Sequence, residues 1–172
     1  MAYRAAKAVP IVSRGAVAVE RSADLADRDV VFTMVSDSDD LLQITTGADG
    51  VLIDPGQSPS LLVDFSTVSM DASAAVREAG RKRDTDFLAA PVSGKPKVVS
   101  AGKLSLAVSG PQDTFTAVEP LLAPFGARVT YVGDDEVART EDFATLILER
   151  ARRSGITLAA ENVKVDDGLE AL

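Results

Sequence analysis

The side chains available for chemistry in this chain are carboxylates, lysines, arginines, tyrosines and hydroxyls, because its 172 residues include neither cysteine nor histidine. This excludes thiol nucleophiles, disulfides, cysteine zinc sites, Ser-His-Asp hydrolysis and histidine metal sites. The net charge of −8, from 26 acidic and 18 basic residues, argues against nucleic acid as the main partner, since phosphate binding needs a basic face. No apolar run approaches the roughly 18 residues that a membrane-spanning helix needs.

Three closely spaced aspartates are potential cation ligands: Asp37, Asp39 and Asp40. Carboxylate oxygens at this spacing suit hard cations, but the sequence places all three in the first turn of a short helix. We interpret them as a solvated acidic helix start and predict no metal site. The acidic run 134–136 is interpreted as a solvated linker, because its like charges give no reason for a paired acid–base site.

Hydroxyls and lysines that could contact a ligand occur in two further places. Ser66 and Thr67 end an apolar run, and Ser93 with Gly94 begins a lysine-containing segment. By themselves the hydroxyls are better explained by a structural role, in which they form hydrogen bonds with backbone groups at a helix N-terminus and in a turn. The lysines of this region are interpreted as side chains of a solvated loop, with a phosphate-binding group as the alternative. They are Lys95, Lys97 and Lys103.

Apolar β-branched runs alternate with capped polar segments through the middle of the chain, which indicates alternating strands and helices. Strands are predicted over 29–35, 61–65, 86–89, 104–108 and 128–132. Helices are predicted from 36–40 toward Thr45, over 70–83 with Ser69 as the N-cap, and from Gly110-Pro111 to about Leu122. Short connections between such elements predict an α/β fold, with a largely parallel sheet flanked by helices.

The N-terminal segment 1–14 is predicted to be an irregular arm. It carries Arg4, Lys7 and Arg14 but no acid before Glu20, so an organelle-targeting peptide is the alternative. A short edge strand over 8–13 is a second alternative, because Pro10 would confine it to an edge. A cytoplasmic location is expected, with a mitochondrial one as the alternative.

The segment 137–172 is predicted to be a short helical tail. Thr140 is a candidate N-cap, acidic residues follow it, and basic residues with Gly155 mark the end of the helix. The residues from Val163 to Leu172 are not assigned to an element.

Several motifs occur in an ordered series from about Gly15 to Gly133, among them Asp64-Phe-Ser-Thr-Val-Ser69 and Ala90-Pro-Val-Ser-Gly94. In this series the sequence resembles the β-hydroxyacid dehydrogenase family, which includes 3-hydroxyisobutyrate dehydrogenase and, more distantly, 6-phosphogluconate dehydrogenase. The resemblance implies a Rossmann-type domain over 15–136 that binds NAD or NADP, and a small hydroxy acid as substrate.

The resemblance also implies positions for the cofactor. Val35 and Ser36 match the loop after the family's fourth strand, which lies along the cofactor, although the family usually has Leu-Pro there. Asp40 falls at a further cofactor-contacting position of the same loop. Ser66 and Thr67 match the pair near the nicotinamide.

A substrate-binding segment is implied in the same way. Ser93 and Gly94 match the family's Ser-Gly-Gly, in which a hydroxyl and backbone N–H groups hold a carboxylate. Lys95 replaces the second glycine, so a side chain stands where the substrate would approach bare backbone. Its ammonium could instead attract an acidic group as a point charge.

Two family features are missing from the 172 residues. No G-x-G-x-x-G occurs, and the nearest pair, Gly47 and Gly50, follows a predicted helix instead of a strand. The pyrophosphate of the cofactor normally rests on that glycine turn. The family's G-x-G-x-x-x-K-x-x-N segment, whose lysine exchanges the substrate proton, does not follow Gly133. No catalytic residue is therefore assigned.

These losses predict a truncated family member. Its incomplete NAD(P)-binding domain would bind NADP or NAD weakly or not at all, and would turn over little or no substrate. Two alternatives stay open. One is a non-catalytic module that pairs with a full-length paralogue or with a second copy of itself, and the other is a nonfunctional fragment.

Overall fold

The computed structural model describes residues 8–93, 101 and 103–139. Its strands are β1 (Val30–Thr33), β2 (Leu61–Asp64), β3 (Asp86–Ala89), β4 (Val92–Ser93), β5 (Leu104–Ser109) and β6 (Gly126–Gly133). Helices α1 (Ser38–Thr46), α2 (Met70–Arg81) and α3 (Gln112–Leu122) alternate with them, and 3₁₀ turns lie at Ser22–Leu25 and Val137–Arg139. No described helix is long and apolar enough to cross a membrane. The helical tail predicted from Thr140 lies outside the described residues.

The six strands of the described residues form one mixed sheet. β1, β2 and β3 lie side by side in parallel, β5 runs antiparallel to β3, and β6 runs parallel to β5. Parallel pairs are the majority, and helices pack on both faces. The predicted α/β fold with a largely parallel sheet is therefore confirmed.

β3 and β4 behave as one strand that is interrupted at Ala90-Pro91. The Cα partners along β5 are Ala89–Ser109, Val92–Leu106 and Ser93–Ser105. The register is thus continuous across the interruption, where proline has no N–H to donate to the ladder. β4 therefore places Ser93 beyond the carboxyl end of β3.

The helices that follow β1 and β2 each begin with a side-chain cap. The Asp37 carboxylate accepts a hydrogen bond from the Asp40 N–H at 2.8 Å, and the Ser69 hydroxyl accepts one from the Ala72 N–H at 3.2 Å. Caps of this kind stabilise a helix by about 1 kcal/mol each. The predicted Ser69 cap is confirmed. In α3, by contrast, the N-cap is Pro111, which provides no side-chain cap hydrogen bond.

Two apolar clusters lie on the two faces of the sheet. The first packs alternate strand residues, including Val31, Leu62 and Phe87, against Leu41 of α1 and Val76 of α2. The second packs the other alternate residues against α3. Because successive side chains of a strand point to opposite faces, a sheet covered on both sides explains why these strands are continuous apolar runs.

Residues 8–12 are helical, and the predicted edge strand over 8–13 is therefore wrong. The Ser13 N–H bonds to the Val9 carbonyl, and Gly15 then adopts a φ of +96°, a conformation that ends the helix. The predicted arm is thus not irregular over these residues.

The packed region extends to Arg139 and passes the predicted boundary between a domain at 15–136 and a tail at 137–172. Ala138 is 2% exposed and belongs to the first apolar cluster. The turn Val137–Arg139, called the terminal turn below, is therefore part of the same folded unit.

Leu62 tests the assignment of the core. Its side chain is fully buried in β2, so Leu62→Ala is expected to lower the free energy of unfolding by about 2–5 kcal/mol. Urea unfolding followed by circular dichroism measures this change. Leu121→Ala is the matched control, because that side chain is 50% exposed and its loss should change stability by about 0.5 kcal/mol or less. Equal losses in the two variants would contradict the assigned core.

Candidate functional site

The carboxyl ends of β1 and β2 meet at one edge of the sheet, and the loops that follow them are joined by hydrogen bonds. The Val35 N–H donates to the Ser66 hydroxyl at 2.9 Å, and the Ser69 N–H donates to the Ser38 hydroxyl at 3.0 Å. The N-termini of α1 and α2 therefore lie close together there. Ligands of open α/β sheets bind outside the carboxyl ends of the strands. This region, called the carboxyl edge below, is the candidate site.

A buried carboxylate lies directly behind the two loops. Asp64, the last residue of β2, is fully buried. Its Oδ1 accepts hydrogen bonds from the Thr33 and Ser66 hydroxyls, both at 2.7 Å. Because the Ser66 hydroxyl has a single proton and gives it to Asp64, its lone pairs face the Val35 N–H. The carboxylate therefore sets the direction of the hydroxyl that joins the loops.

The charge of Asp64 is balanced by Arg139 from the terminal turn. Arg139 Nη2 lies 2.5 Å from Asp64 Oδ2, and both side chains are at most 1% exposed. The same guanidinium donates through Nη1 to the Ser66 carbonyl at 2.7 Å and through Nε to the Ser73 hydroxyl at 2.6 Å. Removing one partner of such a buried pair costs about 3–5 kcal/mol. Arg139 is a residue of this site that the sequence did not reveal.

Glu136 connects the terminal turn to α2. Its carboxylate pairs with Arg77 Nε at 2.7 Å and accepts a hydrogen bond from the Ser73 hydroxyl. Glu136 is 6% exposed, so the interpretation of 134–136 as a solvated linker is wrong at this residue. The signal in the sequence is the apolar pair Val137-Ala138 between Glu136 and Arg139, which indicates a segment with a buried face.

A cleft of about 610 Å³ opens beside β1 and α1, next to the carboxyl edge. Three of the predicted cofactor residues, Val35, Ser36 and Asp40, line it. The charged side chains of the lining are Glu20, Arg21, Asp40 and Asp49. Three carboxylates against one guanidinium give the cleft a negative field, which opposes the approach of phosphate groups.

Arg21 is already engaged within its own 3₁₀ turn. Its guanidinium donates to Asp24 through Nη2 at 2.6 Å and through Nε at 3.1 Å, and lies 3.9 Å from the Asp49 carboxylate. Hydrogen bonding to Asp24 raises the pKa of Arg21, and hydrogen bonding to Arg21 lowers the pKa of Asp24. A phosphate in the cleft would therefore compete with Asp24 for this guanidinium.

The predicted cofactor residues differ in how they present their side chains. Val35 and Asp40 are half-buried and Ser36 is exposed within the cleft, and Thr67 is exposed at the carboxyl edge. Ser66 is only 2% exposed, and both its hydroxyl and its carbonyl are hydrogen-bonded. The structure thus joins the two loops through Ser66 and leaves the other four side chains partly or fully accessible.

The predicted substrate residues are described only at their start. Ser93 is exposed at the end of β4, and Gly94 and Lys95 lie outside the described residues. Within the described ranges, no group of three or more acidic side chains could hold a metal ion. Asp37 acts as the cap of α1, with Asp39 and Asp40 in its first turn.

The family model for the NAD binding domain of 6-phosphogluconate dehydrogenase matches residues 1–133, which is more than half of the chain and includes both loops of the carboxyl edge. The chain belongs to this NAD-binding domain family. The resemblance to hydroxyacid dehydrogenases seen in the sequence is thereby confirmed.

Relatives of this NAD-binding domain include two dehydrogenases of small hydroxy acids. Mitochondrial 3-hydroxyisobutyrate dehydrogenase of Mus musculus is 30% identical over 148 residues, which cover 86% of this chain and 43% of that protein. 2-(Hydroxymethyl)glutarate dehydrogenase of Eubacterium barkeri is 28% identical over 130 residues, which cover 75% of this chain and 43% of that protein. The chain thus spans less than half the length of these relatives.

Solved structures agree on the fold of the NAD-binding domain. Mycobacterium tuberculosis 3-hydroxyisobutyrate dehydrogenase with L-serine superposes with a TM-score of 0.67 at 24% identity, covering 89% of this chain and 56% of that one. Imine reductase from Myxococcus stipitatus in complex with NADP+ gives a TM-score of 0.69 at 20% identity, covering 87% of this chain and 51% of that one. These likenesses confirm the Rossmann-type fold.

The Arg21–Asp24 pair generates a pH prediction. The pKa of Asp24 is lower in the folded state than in the unfolded state. The ionised Asp24 carboxylate therefore stabilises the fold above the ordinary aspartate pKa of about 3.9, and this stabilisation is lost as the pH falls through the pKa of the folded state. Arg21→Gln is expected to raise the pKa of Asp24 toward the ordinary value, as measured by NMR titration of its carboxyl carbon. Arg28→Gln should leave that titration unchanged, and an unshifted Asp24 in Arg21→Gln would contradict the assigned pairing.

Proposed function

We propose that this chain is an incomplete NAD(P)-binding domain of the hydroxyacid dehydrogenase type, which holds the dinucleotide weakly at the carboxyl edge and has little or no turnover of its own. The observation that carries the proposal is the hydrogen bond from the Val35 N–H to the Ser66 hydroxyl. It joins the two loops that are expected, from the family resemblance, to contact the cofactor, and these loops follow the carboxyl ends of neighbouring parallel strands.

The roles proposed for the cofactor residues follow from their exposure. Val35, Ser36, Asp40 and Thr67 would lie along the dinucleotide, because each presents an accessible or partly accessible side chain. Ser66 would act on the loops and not on the cofactor, since its hydroxyl and carbonyl are already hydrogen-bonded within the protein.

The electrostatics of the site argue for low affinity. The α1 N-terminus, which could attract a phosphate through the helix dipole, carries Asp39 and Asp40 in its first turn and is capped by Asp37. The cleft beside it has three carboxylates in its lining, and its guanidinium is engaged by Asp24. With no glycine fingerprint in the sequence, little remains that would bind the pyrophosphate.

The proposed substrate is a small hydroxy acid, in line with the names of the two relatives given above. Ser93, Gly94 and Lys95 would hold its carboxylate. A bound nicotinamide supplies hydride acceptance or donation, but the reaction also needs a group that moves the hydroxyl proton. The sequence contains no match to the family's lysine motif after Gly133, so chemical turnover by these residues alone is proposed to be slow or absent.

Fluorescence titration with NADPH and NADH tests the proposal. Saturable binding is expected with a Kd of about 0.1–1 mM, equivalent to about −5.5 to −4.1 kcal/mol. Asp40→Asn should tighten it roughly two- to fivefold, since removing one partly exposed charge changes binding by up to about 1 kcal/mol.

The matched control for Asp40→Asn is Asp113→Asn, the same change of charge in the first turn of α3 and outside the cleft lining. It should leave the Kd within about 1.5-fold. No saturable signal up to about 1 mM would remove the dinucleotide site. Reduction of a semialdehyde at rates typical of full-length relatives would contradict the proposed lack of turnover.

A second candidate function is pairing with a full-length paralogue. It is favoured by a cluster of three aromatic rings, Phe32, Phe65 and Phe125, whose centroids lie 5.1–5.5 Å apart. Phe32 is 37% and Phe125 39% exposed, and a contiguous exposed apolar surface of this kind is typical of protein interaction sites.

Size-exclusion chromatography with light scattering tests the pairing. A mixture of the chain with a full-length homologue is expected to give a complex of summed mass, and Phe125→Ser should weaken it. A complex that forms without the homologue would indicate self-association instead. Independent elution of the two proteins at micromolar concentration would exclude a stable pair.

A further inference from the structure

Arg139 lies six residues beyond the part of the chain that the family model matches, yet its side chain is 1% exposed and reaches the carboxyl edge. We infer that Arg139 is a positioning residue, which through Asp64 and Ser66 fixes the two loops at which the cofactor is proposed to bind. The inference rests on the proposed function for the identity of the ligand. The positioning itself rests on the hydrogen-bond geometry.

Three hydrogen bonds lead from Arg139 to the first loop. Arg139 Nη2 donates to Asp64 Oδ2, the Ser66 hydroxyl donates to Asp64 Oδ1, and the Val35 N–H donates to that hydroxyl. Thr33, at the end of β1, donates to the same Asp64 oxygen. The backbone that leads into the cleft is therefore held from behind at two points.

The second loop is held by Arg139 directly. Its Nη1 donates to the Ser66 carbonyl at 2.7 Å, which is the peptide group that precedes Thr67. Ser66 is thus fixed on two sides, at its hydroxyl by the Asp64 carboxylate and at its carbonyl by the guanidinium. The direction of the exposed Thr67 side chain depends on both contacts.

The planar guanidinium suits this task because its donors point in fixed, divergent directions. Nη2, Nη1 and Nε of Arg139 reach Asp64, the Ser66 carbonyl and the Ser73 hydroxyl, respectively. A lysine could balance the charge of Asp64 but could not hold all three partners in this plane. Arg139→Lys therefore separates the effect of charge from the effect of geometry.

A simpler explanation is that Arg139 only attaches the terminal turn to the domain. Arg77 provides the comparison, since it attaches the same segment through Glu136 Oε1 at 2.7 Å and the Asp135 carbonyl at 2.6 Å. None of the hydrogen bonds of Arg77 involves the loops after β1 and β2. Loss of Arg77 should therefore weaken the attachment without disturbing the loops.

The experiment compares Arg139→Gln, Arg139→Lys and Arg77→Gln by three measurements on the full chain: urea unfolding, NADPH titration, and amide hydrogen exchange at Val35. Both Gln variants are expected to lower stability. Only the Arg139 variants should raise the Kd for NADPH, by about fivefold or more, and accelerate exchange of the Val35 amide, by about tenfold or more. Arg139→Lys should recover part of the stability and little of the loop protection.

Two results would overturn the inference. One is a folded Arg139→Gln protein that keeps wild-type Val35 protection. The other is an Arg77→Gln protein that loses this protection to the same extent. If Arg139→Gln does not fold, Arg139→Lys decides by the same criterion. A wild-type chain that binds no NADPH would refute the proposed function alone, because Val35 exchange still decides whether Arg139 positions the loops.

Discussion

The carboxyl edge depends on one constraint, the burial of the Asp64 carboxylate. A charge removed from water is tolerated only where it is paired and hydrogen-bonded. Asp64 obtains its donors from three separate parts of the chain: Thr33 of β1, Ser66 of the following loop and Arg139 of the terminal turn. Thr33 is 31 and Arg139 is 75 residues away along the sequence. The edge therefore forms only when the sheet and the terminal turn are assembled together.

The terminal turn reaches this edge because of the register of the last strands. β6 ends at Gly133, whose Cα partner on β5 is Ser109, and Ser109 is in turn the partner of Ala89 at the carboxyl end of β3. Gly133 takes a φ of +142°, which a residue with a side chain rarely adopts, and the chain leaves the strand there. The Ala138 N–H then donates to the Ser109 hydroxyl at 3.0 Å, and Glu136 pairs with Arg77. These contacts hold the terminal turn against β5 and α2, with Arg139 at the carboxyl end of β2.

Features that depend on sequence neighbours were predictable, whereas those that depend on distant partners were not. The bounds of β3 and the Ser69 cap follow from local pattern, and the structure confirms both. The short apolar run at 8–13 is ambiguous by pattern, since strand and helix share it. Glu136 reads as one more charge in an acidic run, because the arginine that neutralises it is 59 residues away. The two loops proposed to bind the cofactor were suggested by resemblance, but the hydrogen-bond network behind them depends on the fold.

A buried ion pair is weak evidence of stability, because well-packed apolar residues in its place are often as stable or more so. Apolar residues cannot supply the directed acceptor that turns the Ser66 hydroxyl toward the Val35 N–H, or the donor that holds the Ser66 carbonyl. The Asp64–Arg139 pair is therefore better explained by its effect on loop geometry than by its effect on stability. The neighbouring cleft has three carboxylates and one guanidinium in its lining, so its field repels phosphate groups. Loop position and phosphate affinity are thus separate properties of this edge, and a dinucleotide bound here would be oriented by it without being held strongly.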